Sequence, residues 1–78
     1  MPTLLRWRGY RFFFWSGDRA EPPHVHVKKG SAEAKVWLDP VRLQGAIDFR
    51  DREINAVVRK IHEQRDAFLR AWHDHFGA

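Results

Sequence analysis

The spacing of apolar residues changes rhythm once along this chain, near residue 50. Before that point it runs with a period of two, and after it with the period of a helix. Thr3 to Arg8 alternates loosely and predicts a first strand, which Gly9 ends at a turn position open to positive φ. Tyr10 to Trp15 is a second strand, built from the aromatic residues that favour a pleated surface. Ser16 to Pro23 is a polar, breaker-rich loop. His24-Val25-His26-Val27-Lys28-Lys29 alternates strictly and predicts a third strand, with both valines on one face and His24, His26 and Lys28 on the other. Lys29-Gly30-Ser31 is a hairpin turn, and Ala32 to Leu38 a fourth strand. Ala32, Ala34, Val36 and Leu38 line its apolar face, opposite Glu33, Lys35 and Trp37.

Asp39-Pro40 ends that strand, and Val41 to Asp48 is a connector containing Gly45, with room for one short extra strand. From about Arg50 to Phe76 the apolar residues Ile54, Val57, Val58, Ile61, Phe68, Leu69, Trp72 and Phe76 follow helical spacing, interrupted near Gln64 and Arg65. Asp48 or Asp51 is the expected N-cap, because Arg50 is not a capping side chain, and Gly77 marks the stop. The predicted fold is α+β: a four-stranded antiparallel sheet followed by one long C-terminal helix on its apolar face (ββββα), in one domain spanning 1–78.

Composition narrows the partners. The chain has 78 residues, fourteen Lys and Arg against ten Asp and Glu, and no cysteine. The absence of cysteine removes disulfides and thiolate metal sites and suits a reducing cytoplasm. No apolar run approaches the roughly 20 residues that span a bilayer, and Met1-Pro2-Thr3 lacks a signal-peptide pattern, so the expectation is a cytoplasmic protein without a membrane role. The basic excess permits RNA or an acidic protein as partner. Tyr10, Phe12 and Phe14 alternate with Phe13 and Trp15, so the second strand is apolar on both faces. A helix can cover one face, and a second copy of the chain in a homodimer is the expected cover for the other.

Candidate chemistry concentrates in Glu21-Pro22-Pro23-His24-Val25-His26-Val27. Two prolines stiffen the entry to the third strand and deliver two imidazoles to one face. As acid and base, His24 and His26 suit an endoribonuclease that needs no metal and no cofactor. Arg6, Lys28 and Lys35 would then hold phosphate, and Trp37 would stack on a base. As His-x-His on a strand, the same pair can ligate a first-row metal, with Glu33, Asp39 or a helix histidine completing the set. A third reading is non-enzymatic: the histidines hydrogen-bond a neighbouring loop, or the His24, His26 and Trp37 face docks a partner protein. His73 and His75, two apart on a helix, point about 200° from one another and cannot share a metal.

The segments Gly9 to Phe14, Glu21 to Val27 and Ala34 to Leu38, with Trp72 and Phe76-Gly77, resemble a small bacterial family catalogued as domain of unknown function 4160. The resemblance covers nearly the whole chain. Trp15 stands where the family pattern has tyrosine, and Arg50 where it has a capping serine. The resemblance implies a gene layout similar to toxin–antitoxin modules, and hence a small cognate partner protein. It implies no assignment of catalytic residues.

Overall fold

The computed structural model describes residues 3–77. Five strands precede one helix: β1 (Thr3–Trp7), β2 (Tyr10–Phe13), β3 (His24–Lys29), β4 (Ala32–Leu38), β5 (Val41–Ile47) and α1 (Asp51–Phe76). A short 3₁₀ helix, Ser16–Ala20, lies between β2 and β3. The strands form one antiparallel meander in the order β1-β2-β3-β4-β5. The sheet therefore has five strands where the sequence pattern predicts four. The connector after Pro40 is a full strand at the edge, paired to β4 with a register shift between Lys35 and Val36. Val41, Leu43 and Ile47 do fall at alternate positions, but Gly45 and Ala46 interrupt the pattern and most of the strand is exposed. β2 ends at Phe13, two residues short of the predicted Trp15, because the chain turns there into the 3₁₀ helix.

Turn chemistry fixes the hairpins. Arg8 and Gly9 both take positive φ (52° and 83°) between the paired residues Trp7 and Tyr10. This is the two-residue turn whose twist matches antiparallel strands. A side chain at Gly9 would also press on the Lys29 side chain, whose nearest carbon lies 3.2 Å from the position a Cβ would take. The Asp39–Pro40 peptide is cis and joins β4 to β5.

The core lies between one sheet face and the helix. Tyr10, Phe12, Val25, Val27, Ala34, Val36 and Leu38 meet Val57, Ile61, Phe68, Trp72 and Phe76 there. Each large apolar side chain buried in this layer contributes roughly 1.5–3 kcal/mol. An exposed ion pair such as Lys60–Glu63 contributes about 0–1 kcal/mol, so the apolar layer holds the fold. Along β2, Tyr10 touches Phe49 before the helix, Phe12 touches Phe68, and Phe14 touches Trp72 and Phe76. The helix thus runs in the same direction as β2.

Its 26 residues span roughly 39 Å, against about 23 Å for a seven-residue strand. The helix must overhang the sheet, and its last turns reach past the end of β2. The interruption at Gln64 and Arg65 is not a break. Arg65 leaves the apolar stripe to pair with Asp39 in the β4–β5 turn, 2.7 Å away.

The helix N-terminus departs from expectation in its cap. Arg50 occupies the N-cap, and neither Asp48 nor Asp51 does. Asp48 is held at φ 60° and Asp51 is already helical. The Glu53 carboxylate accepts from the Arg50 N–H (3.1 Å) and, with its second oxygen, from the Tyr10 hydroxyl (3.1 Å). One side chain therefore closes the helix end and ties it to the sheet. Burial, and then the Glu53 carboxylate, push the Tyr10 phenol above its ordinary value of 10.0.

Tyr10 is the chain's single tyrosine, so its ionisation can be followed by near-ultraviolet absorbance. Its midpoint should lie above 10.0 in the folded protein and move down in Glu53→Ala. Because the raised group favours the neutral form in the fold, its stabilisation is intact below pH 10.0 and is lost as pH rises through the folded midpoint. An unshifted phenol would show that the Tyr10–Glu53 contact does not form.

Candidate functional site

The segment Phe14 to Glu21 leaves β2, crosses one end of the sheet face that carries no helix, and brings Asp18 onto His24 and His26. The loop is held by its own hydrogen bonds. Asp18 N–H donates to the Trp15 carbonyl (3.1 Å), Glu21 N–H donates to the Asp18 carbonyl (3.0 Å), and Trp15 N–H donates to Asp18 Oδ2 (2.8 Å). Pro22 and Pro23 bring no donors, but both of their carbonyls are used. Pro22 accepts from His24 Nδ1 at 2.8 Å, and Pro23 accepts from Leu38 N–H at 3.0 Å. Glu21 pairs with Lys35 of β4. The stiff entry that the prolines predict is therefore stitched to two strands.

His24 is fully buried and Asp18 is 7 % exposed. His24 Nε2 lies 3.1 Å from Asp18 Oδ1, and His26 Nε2 lies 3.2 Å from Asp18 Oδ2. His26 donates a hydrogen bond to the carboxylate. His24 Nε2 has no partner in hydrogen-bonding geometry despite its short approach to Oδ1. Aromatic rings close the surroundings. His24 packs on His26, Trp37 and Trp72 with ring centroids 5.1–5.5 Å apart, and His26 stacks on Phe13 at 5.6 Å. Trp72 reaches His24 because the helix overhangs the sheet.

Burial alone would raise the Asp18 carboxyl. The Trp15 N–H, the bond from His26 and the nearby His24 outweigh it and hold the group below its ordinary range. Burial pulls His26 below its ordinary value, and the Asp18 carboxylate offsets only part of that effect. The pair is thus an ionised carboxylate beside a neutral imidazole.

Asp18 was not among the residues the sequence marks for chemistry. It sits six positions before His24 in a polar loop, and no short motif joins it to the His-x-His pair. Of the residues expected from sequence to complete a His24–His26 metal set, none is in the cluster: Glu33 pairs in register with Lys28 and Ile47, Asp39 binds Arg65, and the helix histidines are elsewhere.

The proposed RNA contacts do share the open face with His26. Register sets Arg6 opposite Arg11, Arg11 opposite Lys28, and Lys28 opposite Glu33 in one row. Phe13, His26, Lys35 and Gly45 form the next row, and His24, Trp37 and Arg42 the third. A groove of about 390 Å³ runs between His26, Lys35, Gly45 and Ile47. Lys35 is not a free cation, being paired with Glu21 and lying 4.8 Å over the Trp37 ring. Phe13, on the second apolar face of β2 for which a second copy was the expected cover, is already enclosed from within the chain by Trp15, His26 and the Arg11 guanidinium 4.5 Å above its ring.

A sheet with one helix on its back and a two-histidine, one-carboxylate cluster under a loop on its front defines a small α+β site protein. The chain matches the family model "Domain of unknown function (DUF4160)" over residues 9–73, and it belongs to that family. No curated protein and no solved structure matches it.

Asp18→Ala removes the acceptor for the Trp15 N–H and His26. It should cost about 2 kcal/mol in urea-induced unfolding, the scale of a lost hydrogen bond to a charged group. Glu21→Ala, which breaks an exposed pair, should change stability far less. Equal effects would show that the loop is not held through Asp18.

Proposed function

We propose that the protein binds single-stranded RNA through the open face of its sheet, as one member of a two-protein system of toxin–antitoxin type. The observation that carries this reading is the row Arg6, Arg11 and Lys28 across three strands, on a face that among the described residues only the 15–21 segment crosses. Cations spaced along adjacent strands can follow a phosphate backbone. Trp15 stands at the rim, 42 % exposed, and Trp37 lies half-buried beside Arg42. Both offer ring faces to unstacked bases. The excess of four positive charges acts in the same direction.

Binding fits the face better than metal-free cleavage by His24 and His26. An acid–base pair must touch the strand it cuts. His24 exposes no surface, and its Nδ1 is committed to Pro22. The edge strand favours a second contact, with the cognate protein. β5 carries Leu43 and Ile47 exposed (38 % and 66 %), and its outer edge is open to another strand.

Fluorescence anisotropy with a labelled single-stranded RNA, repeated across salt concentrations, tests the reading. Arg11→Ala and Lys28→Ala should each weaken binding and each lower the salt slope by about 0.7. Trp15→Ala should cost about 1–3 kcal/mol if a base stacks there. Absence of binding at low salt, or indifference to the Arg11→Ala/Lys28→Ala double change, would refute it.

A further inference from the structure

We propose that Asp18, His24 and His26 form a binding site for one divalent first-row transition ion of the zinc or ferrous type. This proposal does not depend on RNA binding. It starts from the proton on His24. The Pro22 carbonyl can only accept, so the 2.8 Å contact fixes the proton on Nδ1. Nε2 is then the free ring nitrogen, buried, 3.1 Å from a carboxylate oxygen and without a hydrogen bond to it. A metal ion ligated by both atoms satisfies the imidazole nitrogen and the carboxylate together.

The remaining features agree. A metal-ligating imidazole commonly donates its other N–H to a backbone carbonyl, as His24 does to Pro22. His26 turns the same nitrogen, Nε2, toward the same carboxylate. Donors held at about 2.0–2.2 Å from one ion stand about 2.9–3.5 Å apart for bond angles near 90–109°. The His24–Asp18 and His26–Asp18 separations of 3.1 and 3.2 Å fall inside that range. All three donor atoms lie within 4.8 Å of one another. On binding, the His26 Nε2 proton moves to Nδ1, which a half-buried ring permits.

Two imidazoles and one carboxylate select zinc, iron or a neighbouring ion over magnesium or calcium, which prefer all-oxygen sets. Three protein donors leave at least one coordination position free. The described residues contain no other group of three or more such side chains.

Zinc and cobalt(II) chlorides, added to protein first stripped with chelator, are the probes. Zinc should bind with one-to-one stoichiometry, raise the thermal midpoint, and be removed again by chelator. Cobalt should give visible ligand-field bands. His26→Gln and Asp18→Asn should each weaken zinc binding by about 100-fold or more, while His62→Ala, on the exposed helix face, should not.

Imidazole nitrogen shifts in the unsubstituted protein give a second readout if a variant fails to fold. Zinc should move Nε2 of His24 and His26 and leave His62, His73 and His75 in place. The proposal is overturned if the unsubstituted protein neither retains zinc nor shifts its midpoint. It is equally overturned if zinc moves the helix histidines instead, or binds undiminished in the folded His26→Gln variant.

Discussion

A carboxylate and two imidazoles are costly to remove from water, and an unpaired polar group among them costs roughly 1–3 kcal/mol. The chain accepts this at Asp18, His24 and His26, and much of its local geometry follows from the need to satisfy them. Phe14 to Glu21 must cross the sheet end for Asp18 to reach β3. The Pro22 carbonyl must face inward for His24 Nδ1. The helix must run long enough for Trp72 to seal His24 from solvent. Remove the carboxylate, and the loop loses both its own Trp15 N–H acceptor and its bond to His26, keeping only the attachments at Glu21, Pro22 and Pro23.

Much of this was legible in sequence. The period-two segments gave β1 to β4 nearly to the residue, and the helical stripe gave α1 from about Arg50 to Phe76. The opposition of valines and histidines on β3 is as the alternation predicts. β5 was legible only as a connector with room for a short strand, because Gly45 and Gln44 are poor strand markers that interrupt the alternation of Val41, Leu43 and Ile47. Asp18 was not legible either. Its role comes from contacts to side chains six and eight positions on, and a lone aspartate in a polar loop looks like any solvated turn residue. Arg50 shows the opposite case: an unfavourable cap is tolerated because Glu53 supplies the other half of the motif and is itself anchored by Tyr10.

The two faces of the sheet divide the labour. The rear face, with Val25, Val27, Val36 and the helix, supplies stability through apolar burial. The front face is left polar and basic, which costs nothing in water and keeps a broad surface available. The cluster sits where these meet, under the loop at the sheet end. Glu21 pairs Lys35 just beyond it, so the loop's position and the charge of the front face are coupled through one ion pair.

The meander topology bears on how the protein acquires its shape. Every strand pairs only with its neighbours in sequence, and each pairing is antiparallel. The sheet can therefore grow by successive hairpins, each closing a short stretch of chain, and such local contact patterns are associated with rapid folding. Synthesis on the ribosome releases the strands in the order in which they pair. β3 and β4 can come together before the helix has left the exit tunnel, leaving His24 without Trp72 and the valines uncovered. The last third of the chain thus decides when an aggregation-prone sheet becomes a closed one.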